Sequence, residues 1–261
     1  MAVNIWELAD ADLHRLFEMK YGHPDTAGWS PRRRLKYGYY HPSDIYEAVV
    51  EKLVGSSTKW IDVGGGRALF PDNTPLSAIL AKRCERLVAV DPSENVFENP
   101  YAHLRVNCKI EDFETDVKFD LATFRMVAEH ISNPEAVLFR LSKILTESGI
   151  VVIYTINKVS PIPIITRFIP FSYHYRVKRL FWKGEEKDTF PVAYKMNTRK
   201  TLKVLFSKYG FIEQAFMYLD DLSTFSGFKT LNLLELWAWK LFRQLRIKYP
   251  ENNLLGIYQR S

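Results

Sequence analysis

The chain has 261 residues, of which 47% are hydrophobic and 25% are charged, so it can bury one sizeable core. Its 36 Lys and Arg residues exceed its 30 Asp and Glu residues, but the formal charge of +6 is too diffuse to indicate a nucleic-acid partner. Its two cysteines lack the spacing of a zinc site or a disulfide framework, which argues against a bound metal. The N-terminus lacks the basic start of a signal peptide, and no run is long and apolar enough to span a membrane, so we expect a cytoplasmic protein.

Residues 1–57 predict an N-terminal helical cap. Apolar residues recur at helical spacing in Asn4–Tyr21 and in Ser43–Val54. The Gly-, Pro- and Ser-rich segment between them is interpreted as a loop, and it holds the compact basic run Arg32–Arg34. A solvated loop explains this run at least as well as phosphate recognition does.

From residue 58 to residue 156 the pattern is typical of a doubly wound α/β core. Short runs that are apolar throughout, rather than alternating, predict strands buried on both faces of a parallel sheet. Leu76–Arg86 and Pro134–Leu145 predict crossover helices, and we expect Gly149 to end the second one in a positive-φ conformation. The predicted strands are Trp60–Val63, Leu87–Val90, Leu104–Cys108, Phe119–Phe124 and Ile150–Thr155.

After the fifth predicted strand, residues 157–197 form a long insertion rich in Pro, aromatic and basic residues. Structureless loops of this length are uncommon inside compact domains, so we expect the insertion to act as a functional lid. Residues 198–261 complete the core, and the whole pattern predicts a seven-stranded, mainly parallel sheet. The elements predicted there are helices at Thr198–Tyr209 and Leu231–Leu245 and strands at Phe211–Phe216 and Leu254–Tyr258.

A glycine turn follows the first predicted strand. The strand runs through Asp62 directly into Gly64, Gly65 and Gly66, and only residues without Cβ let a backbone approach a ligand closely. Asp91 closes the next apolar run, where nucleoside-binding α/β folds place an acid that accepts hydrogen bonds from ribose hydroxyls. Together these residues predict a nucleoside site. Taken singly, the glycines could be a flexible surface loop and Asp91 a turn former or helix cap.

Two further segments are expected at the same edge of the sheet. After the third strand, Glu111 or Asp112 could accept a hydrogen bond from an adenine amino group, and the ring of Phe113 could lie against the base. Either acid could equally be surface charge. The fourth strand ends at Arg125, at the carboxyl edge where open α/β sheets bind their ligands.

The order of these motifs resembles that of the class I S-adenosylmethionine-dependent methyltransferases, particularly the methyltransferase type 11 group that includes ubiquinone and menaquinone methyltransferases. The resemblance spans residues 58–156 and implies S-adenosylmethionine as methyl donor, with S-adenosylhomocysteine as product. It departs from the family at Ala68, where a third glycine is common. The residues that carry it are Asp62–Gly66, Val90-Asp91, Glu111-Asp112, Phe119-Asp120, Ala128-Glu129-His130 and Ser148–Ile153. The implied donor-binding residues are Asp62, Gly64, Gly65, Gly66, Asp91, Pro92, Glu111, Asp112, Phe113 and Arg125.

Three other classes of function are weighed against this resemblance. An NAD-linked oxidoreductase is disfavoured because Gly64–Leu69 fits the pattern Gly-x-Gly-x-x-Gly poorly at its last position. A nucleic-acid methyltransferase is disfavoured because no Asn/Asp-Pro-Pro-Tyr motif follows the fourth strand. A catalytically silent nucleoside-binding scaffold stays open, although the pair Asp62 and Asp91 argues against it.

The acceptor is expected to be a small molecule that is methylated on oxygen, with sulfur or nitrogen as the alternative. Methylation of a hydroxyl needs a base, and His130 is the candidate because it follows the fourth strand and an imidazole titrates near neutral pH. Alternatively, Glu129 and His130 cap the helix that begins near Pro134. Candidate acceptor-binding residues in the insertion are Tyr173, His174 and Tyr194.

The insertion also suits contact with lipid. Its apolar stretch Pro161–Phe171 is followed by interleaved aromatic and basic residues, a composition that fits a lid over a hydrophobic substrate or peripheral contact with an anionic membrane. An ordinary packed lid is the simpler interpretation, and the Leu- and Trp-rich helix near Leu231 adds some support to membrane contact. The oligomeric state is not predicted.

Overall fold

The computed structural model describes residues 8–161, 191–223 and 225–261, and within these residues a seven-stranded sheet forms the centre of the molecule. Its order is β3-β2-β1-β4-β5-β7-β6. Strand β7 runs antiparallel to both of its neighbours, and the other pairings are parallel, which confirms the predicted doubly wound, mainly parallel sheet. The strands are β1 (Lys59–Val63), β2 (Arg86–Asp91), β3 (Leu104–Asn107), β4 (Phe119–Arg125), β5 (Leu145–Ile156), β6 (Phe211–Leu219) and β7 (Asn253–Arg260).

Helices cover both faces of this sheet, and side-chain caps set where several of them begin. Asn73 accepts a hydrogen bond from the backbone of Leu76, Asn133 from Ala136 and Thr198 from Thr201, so each satisfies an N–H that has no partner within its helix. The helices are α1 (Asp10–Tyr21), α2 (Trp29–Lys36), α3 (Pro42–Leu53), α4 (Thr74–Arg83), α5 (Pro134–Ile144), α6 (Arg199–Lys208) and α7 (Lys229–Gln244). Two 3₁₀ turns span Glu94–Glu98 and Ile110–Asp112.

The sheet separates two hydrophobic layers. On one face, residues such as Ile61 and Phe124 pack with Leu138 of α5 and Phe206 of α6. On the other face, residues such as Trp60 and Leu121 pack with Leu16, Tyr46 and Leu76 from α1, α3 and α4. Alternate residues of one strand thus face opposite layers, which explains why the central strands are apolar throughout.

The basic run Arg32–Arg34 lies in helix α2, so its interpretation as a loop was wrong. Pro31 stands in the first turn of this helix, where a backbone N–H has no helical partner to lose. The guanidinium of Arg33 lies 5.1 Å from the ring centre of Trp29 and donates a hydrogen bond to the carbonyl oxygen of Lys229. The local composition disfavours a helix at these residues. Helix α2 nevertheless forms there, packed against α7, which is remote in sequence.

The expectation for Gly149 was also wrong. Helix α5 ends at Ile144, and Gly149 lies within β5. Ser148 adopts the positive φ, at 69°, and the pairing of β4 with β5 shifts register between Phe119 and Leu121. The irregularity is therefore inside the strand pair and not at the end of the helix.

No helix among the described residues is long and apolar enough to cross a membrane.

Candidate active site

The candidate site lies where the strand order reverses, between β1 and β4. Open α/β sheets bind ligands at this point, outside the carboxyl ends of the strands. Asp62 of β1 pairs in register with Thr123 of β4, so the last residues of both strands meet at one edge. This edge brings together the glycine turn after β1 and the residues that follow β4.

The glycine turn is built so that side chains would not fit. Gly64 and Gly66 have φ values of 71° and 36°, and the N–H of Gly64 donates to the carbonyl oxygen of Val90 at 2.8 Å. A Cβ on Gly64 would stand 2.1 Å from the side chain of Val127, and one on Gly65 would stand 2.8 Å from Ala89. The turn therefore needs glycine at both positions, because the backbone lies against its neighbours.

Asp91 ties the glycine turn to the end of β2. One of its carboxylate oxygens accepts from the N–H of Gly66 at 3.1 Å, and the other accepts from the N–H of Ser93 at 2.7 Å. Pro92 lies between Asp91 and Ser93 in the chain. Because a carboxylate oxygen accepts more than one hydrogen bond, Asp91 can hold this geometry and still accept from a ligand.

Asn99 also holds the turn, and sequence reasoning did not identify it. Its side chain is fully buried, and its amide donates to the carbonyl oxygen of Gly65 at 2.9 Å. Asn99 lies 34 residues from Gly65 in sequence, so no local pattern indicated the contact.

Asp62 is buried at the base of the site in a chain of side-chain hydrogen bonds. The indole N–H of Trp60 donates to the hydroxyl of Thr123 at 2.7 Å, and that hydroxyl donates to the Asp62 carboxylate at 2.6 Å. Burial raises the pKa of Asp62 to about 7, with a contribution from the charge of Asp91, although Thr123 and Arg125 act in the opposite direction. Asp62 therefore titrates near neutral pH.

Tyr46 of α3 extends this buried group, and the sequence did not single it out. Burial raises the pKa of its hydroxyl, and the nearby charge of Asp62 raises it further. The ring of Tyr46 stacks on Tyr154 of β5, with 5.3 Å between the ring centres. Helix α3 thus contributes a side chain to the base of the candidate site.

The predicted residues after β3 have different environments. Glu111 and Asp112 lie in the 3₁₀ turn Ile110–Asp112, with Glu111 partly exposed and Asp112 exposed. Phe113 is buried, with its ring centre 6.3 Å from that of Phe119. The structure thus places Phe113 in the hydrophobic layer, and its contact with a nucleobase stays a prediction.

The chain leaves β4 through a strained residue. Met126 has a φ of 56°, which is uncommon for a residue with a side chain, and its N–H donates to the carbonyl oxygen of Tyr154 at 2.8 Å. Arg125 precedes it at the end of the strand, and Val127 follows it to pack against Gly64. The strain sets the direction in which the chain passes the glycine turn.

His130 contacts the end of the insertion. Its Nδ1 lies 2.8 Å from the carbonyl oxygen of Pro191, an acceptor that requires Nδ1 to carry the proton. A neutral ring in this state has its basic lone pair on Nε2. Asn133 caps α5, so the alternative that Glu129 and His130 cap this helix was wrong.

Glu129 anchors the segment that follows Pro191. Its backbone oxygen accepts from the N–H groups of Ala193 and Tyr194, at 2.7 and 3.1 Å. Its buried carboxylate accepts from the hydroxyl of Thr155 at 2.7 Å, and the amide of Asn197 donates to the same hydroxyl at 2.8 Å. Burial raises the pKa of Glu129. The end of the insertion is therefore held beside His130.

Of the predicted acceptor-binding residues, Tyr194 is at this edge. It is half-buried with a φ of 50°, and burial, followed by the charge of Glu129, raises the pKa of its hydroxyl. Tyr173 and His174 lie outside the described residues. Within the described ranges, no group of three or more His, Cys, Asp or Glu side chains could hold a metal ion.

A family model described as a methyltransferase domain matches residues 32–212, well over half of the chain. The chain belongs to the class I S-adenosylmethionine-dependent methyltransferases. The match does not assign this methyltransferase to the ubiquinone and menaquinone group that its sequence resembles. A search of curated proteins finds no match.

Solved methyltransferases share the fold. An S-adenosylmethionine-dependent methyltransferase from Mesorhizobium loti superposes with a TM-score of 0.52 at 17% identity, over 80% of this chain and 93% of that one. The plantazolicin methyltransferase BamL, solved with a triazolic desmethylPZN analogue and S-adenosylhomocysteine, superposes with a TM-score of 0.51 at 14% identity, over 96% of each chain.

The edge residues of this methyltransferase fit S-adenosylmethionine. Gly64 and Gly65 let the backbone of the turn pack directly against Val127 and Ala89, and Asp91 is fixed by backbone donors while its oxygens can accept further hydrogen bonds. The pKa of Asp62 lies near 7, so the carboxyl is close to ionising at neutral pH. A cationic group bound beside it would shift it to the ionised form.

Proposed function

We propose that the methyltransferase transfers the methyl group to a hydroxyl oxygen of a small-molecule acceptor, with His130 as the base. The observation that carries this proposal is the hydrogen bond between Nδ1 of His130 and the carbonyl oxygen of Pro191. A hydrogen bond through one ring nitrogen orients a histidine, as the bases of activated nucleophile systems are oriented. His130 follows β4, the strand beside the glycine turn.

The proposal assigns donor binding to the carboxyl edge. Asp91 would accept hydrogen bonds from the ribose hydroxyls, Glu111 or Asp112 from the adenine amino group, and the glycine turn would leave room for the backbone to approach. When bound, S-adenosylmethionine supplies an electrophilic methyl group on a sulfonium. The carboxylate of Asp62 would attract the positively charged part of that ligand. Arg125 would set the local charge at the end of β4.

The insertion, residues 157–197, would supply acceptor-binding residues. The C-terminal end of the insertion supports this assignment. There the N–H of Tyr194 donates to Glu129, the residue before His130, and the amide of Asn197 donates to Thr155. His130 would take the hydroxyl proton as the acceptor oxygen attacks, and the surrounding side chains would exclude water. We also propose a cytoplasmic location, because both cysteines are free thiols, as in reducing compartments.

The donor assignment is tested by isothermal titration with S-adenosylmethionine and S-adenosylhomocysteine. Asp91→Ala should weaken binding at least about tenfold, since it removes charge-assisted hydrogen bonds worth roughly 1.5–3 kcal/mol each. Asp116→Ala is the matched control, because Asp116 is exposed and precedes β4 at the opposite edge of the sheet. Equal affinities for wild type and Asp91→Ala would refute this role for Asp91.

The acceptor chemistry is tested with His130→Asn, in which the amide can still donate to Pro191 but no basic nitrogen remains. With a hydroxyl acceptor found by screening phenols, quinols and alcohols, kcat should fall about 10²–10⁴-fold while donor affinity is unchanged. A loss below about tenfold, or turnover with thiols or amines alone, would contradict base-assisted O-methylation, since those acceptors need less activation.

A further inference from the structure

Helix α7 is apolar on its solvent side as well as on its buried side. Asn232, Leu236 and Trp239 face the body of the molecule. At 100° per residue Leu234 and Trp237 lie opposite these residues, and Leu231 and Leu233 lie to either side, whereas a surface helix ordinarily places polar residues there. The four apolar residues, which we call the α7 face, are Leu231 (45% exposed), Leu233 (39%), Leu234 (56%) and Trp237 (58%).

The exposed apolar surface continues beyond both ends of the helix. Phe228 is 49% exposed just before α7, and Leu245 and Ile247 are 59% and 51% exposed just after it. Single exposed apolar residues are normal, but a contiguous row along one element marks an interaction site.

Basic residues lie beside this apolar surface, on the side of α7 towards α2. Residues 229–248 include five basic residues and one acidic residue, Glu235. Helix α2 adds further positive charge, because Arg33 bonds to the backbone of Lys229, and Arg32 and Lys36 are exposed on the same short helix. The five basic residues are Lys229, Lys240, Arg243, Arg246 and Lys248.

We propose that the α7 face docks on an anionic lipid surface, with α7 lying in the plane of the interface. Charge complementarity selects this partner. Apolar side chains with Trp among them would enter the boundary between headgroups and acyl chains, while the flanking Lys and Arg would meet anionic headgroups. A second copy of the chain is the less suitable occupant, because a two-fold contact would bring the same basic residues together. The proposal is independent of the acceptor assigned above.

The test is co-sedimentation of the full chain with vesicles, either pure phosphatidylcholine or phosphatidylcholine mixed with phosphatidylglycerol. Wild type should bind the anionic vesicles and bind the neutral ones more weakly. Leu234→Glu/Trp237→Glu should lower the partition coefficient at least about tenfold, because it places charge where apolar side chains enter the lipid. Lys229→Glu/Lys240→Glu should lower it on anionic vesicles by more than about twentyfold, since each basic residue near the surface contributes roughly fivefold.

Phe139→Glu is the matched control, because Phe139 is 53% exposed on α5 and should not change vesicle binding. Thermal unfolding and donor affinity verify that each variant is folded. The proposal would be overturned by no binding of wild type to anionic vesicles, by equal binding to both compositions, or by equal losses in Phe139→Glu. Light scattering that shows a wild-type dimer, lost in Leu234→Glu/Trp237→Glu, would overturn it in favour of a second copy.

Discussion

Gly64 and Gly38 have nearly the same backbone conformation in different surroundings. Their φ values are 71° and 70°. A Cβ at Gly64 would meet Val127 at 2.1 Å, whereas a Cβ at Gly38 would have no atom within 4 Å. The two positions therefore separate the strain of a positive φ from the steric requirement of the glycine turn.

We expect Gly64→Ala to weaken S-adenosylmethionine binding about tenfold or more, because a displaced Val127 moves the chain beside the turn. Gly38→Ala should cost about 1–2 kcal/mol of stability from strain alone and leave donor affinity unchanged. Titration calorimetry and urea unfolding of both variants measure the two quantities. Similar donor affinities in the two variants would show that the close contact with Val127 has no bearing on the site.

Helices α1, α3 and α4 are joined by a buried ion network. Lys20 of α1 is 2% exposed, and its ammonium lies 2.9 Å from the carboxylate of Asp44 and 2.7 Å from that of Glu47, both on α3. The amide of Asn73, which caps α4, donates to Glu47 at 2.8 Å. Burial lowers the pKa of Lys20, but the two carboxylates outweigh it and raise the pKa overall, so the lysine stays charged.

Lys20→Met should destabilise the protein by about 3–5 kcal/mol, because it leaves two buried carboxylates without their cation. Lys52→Met is the control, since Lys52 joins the same two helices through Asp12 at 2.7 Å but is 28% exposed. The free energy of unfolding of Lys52→Met should fall by no more than about 1 kcal/mol, because exposed ion pairs contribute little to stability. Urea unfolding at neutral pH measures both, and equal losses would contradict a special role for the buried network.

At the scale of the molecule, buried carboxyl groups give stability a pH dependence of two opposite signs. Burial raises the pKa values of Asp62 and Glu235 to about 7, so the stability that each contributes is complete at acidic pH and is lost as the pH rises through 7. Asp221 differs: burial opposes its ionisation, but His41 and Ser223 lower its pKa to about 2. Its contribution is present above its ordinary pKa and is lost only towards pH 2.

Asp62→Asn should therefore remove part of this dependence. The free energy of unfolding of wild type should fall relative to that of Asp62→Asn between about pH 5 and pH 7, by at most about 1.4 kcal/mol per pH unit, and then level off. Urea unfolding across this range measures the difference, with Asp116→Asn as a control that removes an exposed carboxyl. Parallel curves for wild type and Asp62→Asn would refute the raised pKa.

Much of the fold could be predicted because its signals are local. Uniform apolar runs identified the strands, and Pro134 marked the start of α5. The glycine turn and Asp91 were also predicted, since a close backbone approach requires Gly at particular positions. The prediction of a positive φ at Gly149 was wrong because a glycine permits this conformation without requiring it. Ser148 adopts the positive φ instead.

The sequence by itself determined the order of the strands and of the helices other than α2, and the approximate position of each strand, because periodicity and turn chemistry act over a few residues. Tertiary structure alone decided which distant groups meet. His130 reaches Pro191 across 61 residues, and Tyr46 of α3 lies beside Asp62 at the base of the proposed donor site. It also decided that α7 turns its polar Asn232 inward and its Trp237 outward. Such contacts depend on how elements pack in three dimensions, which no local pattern encodes.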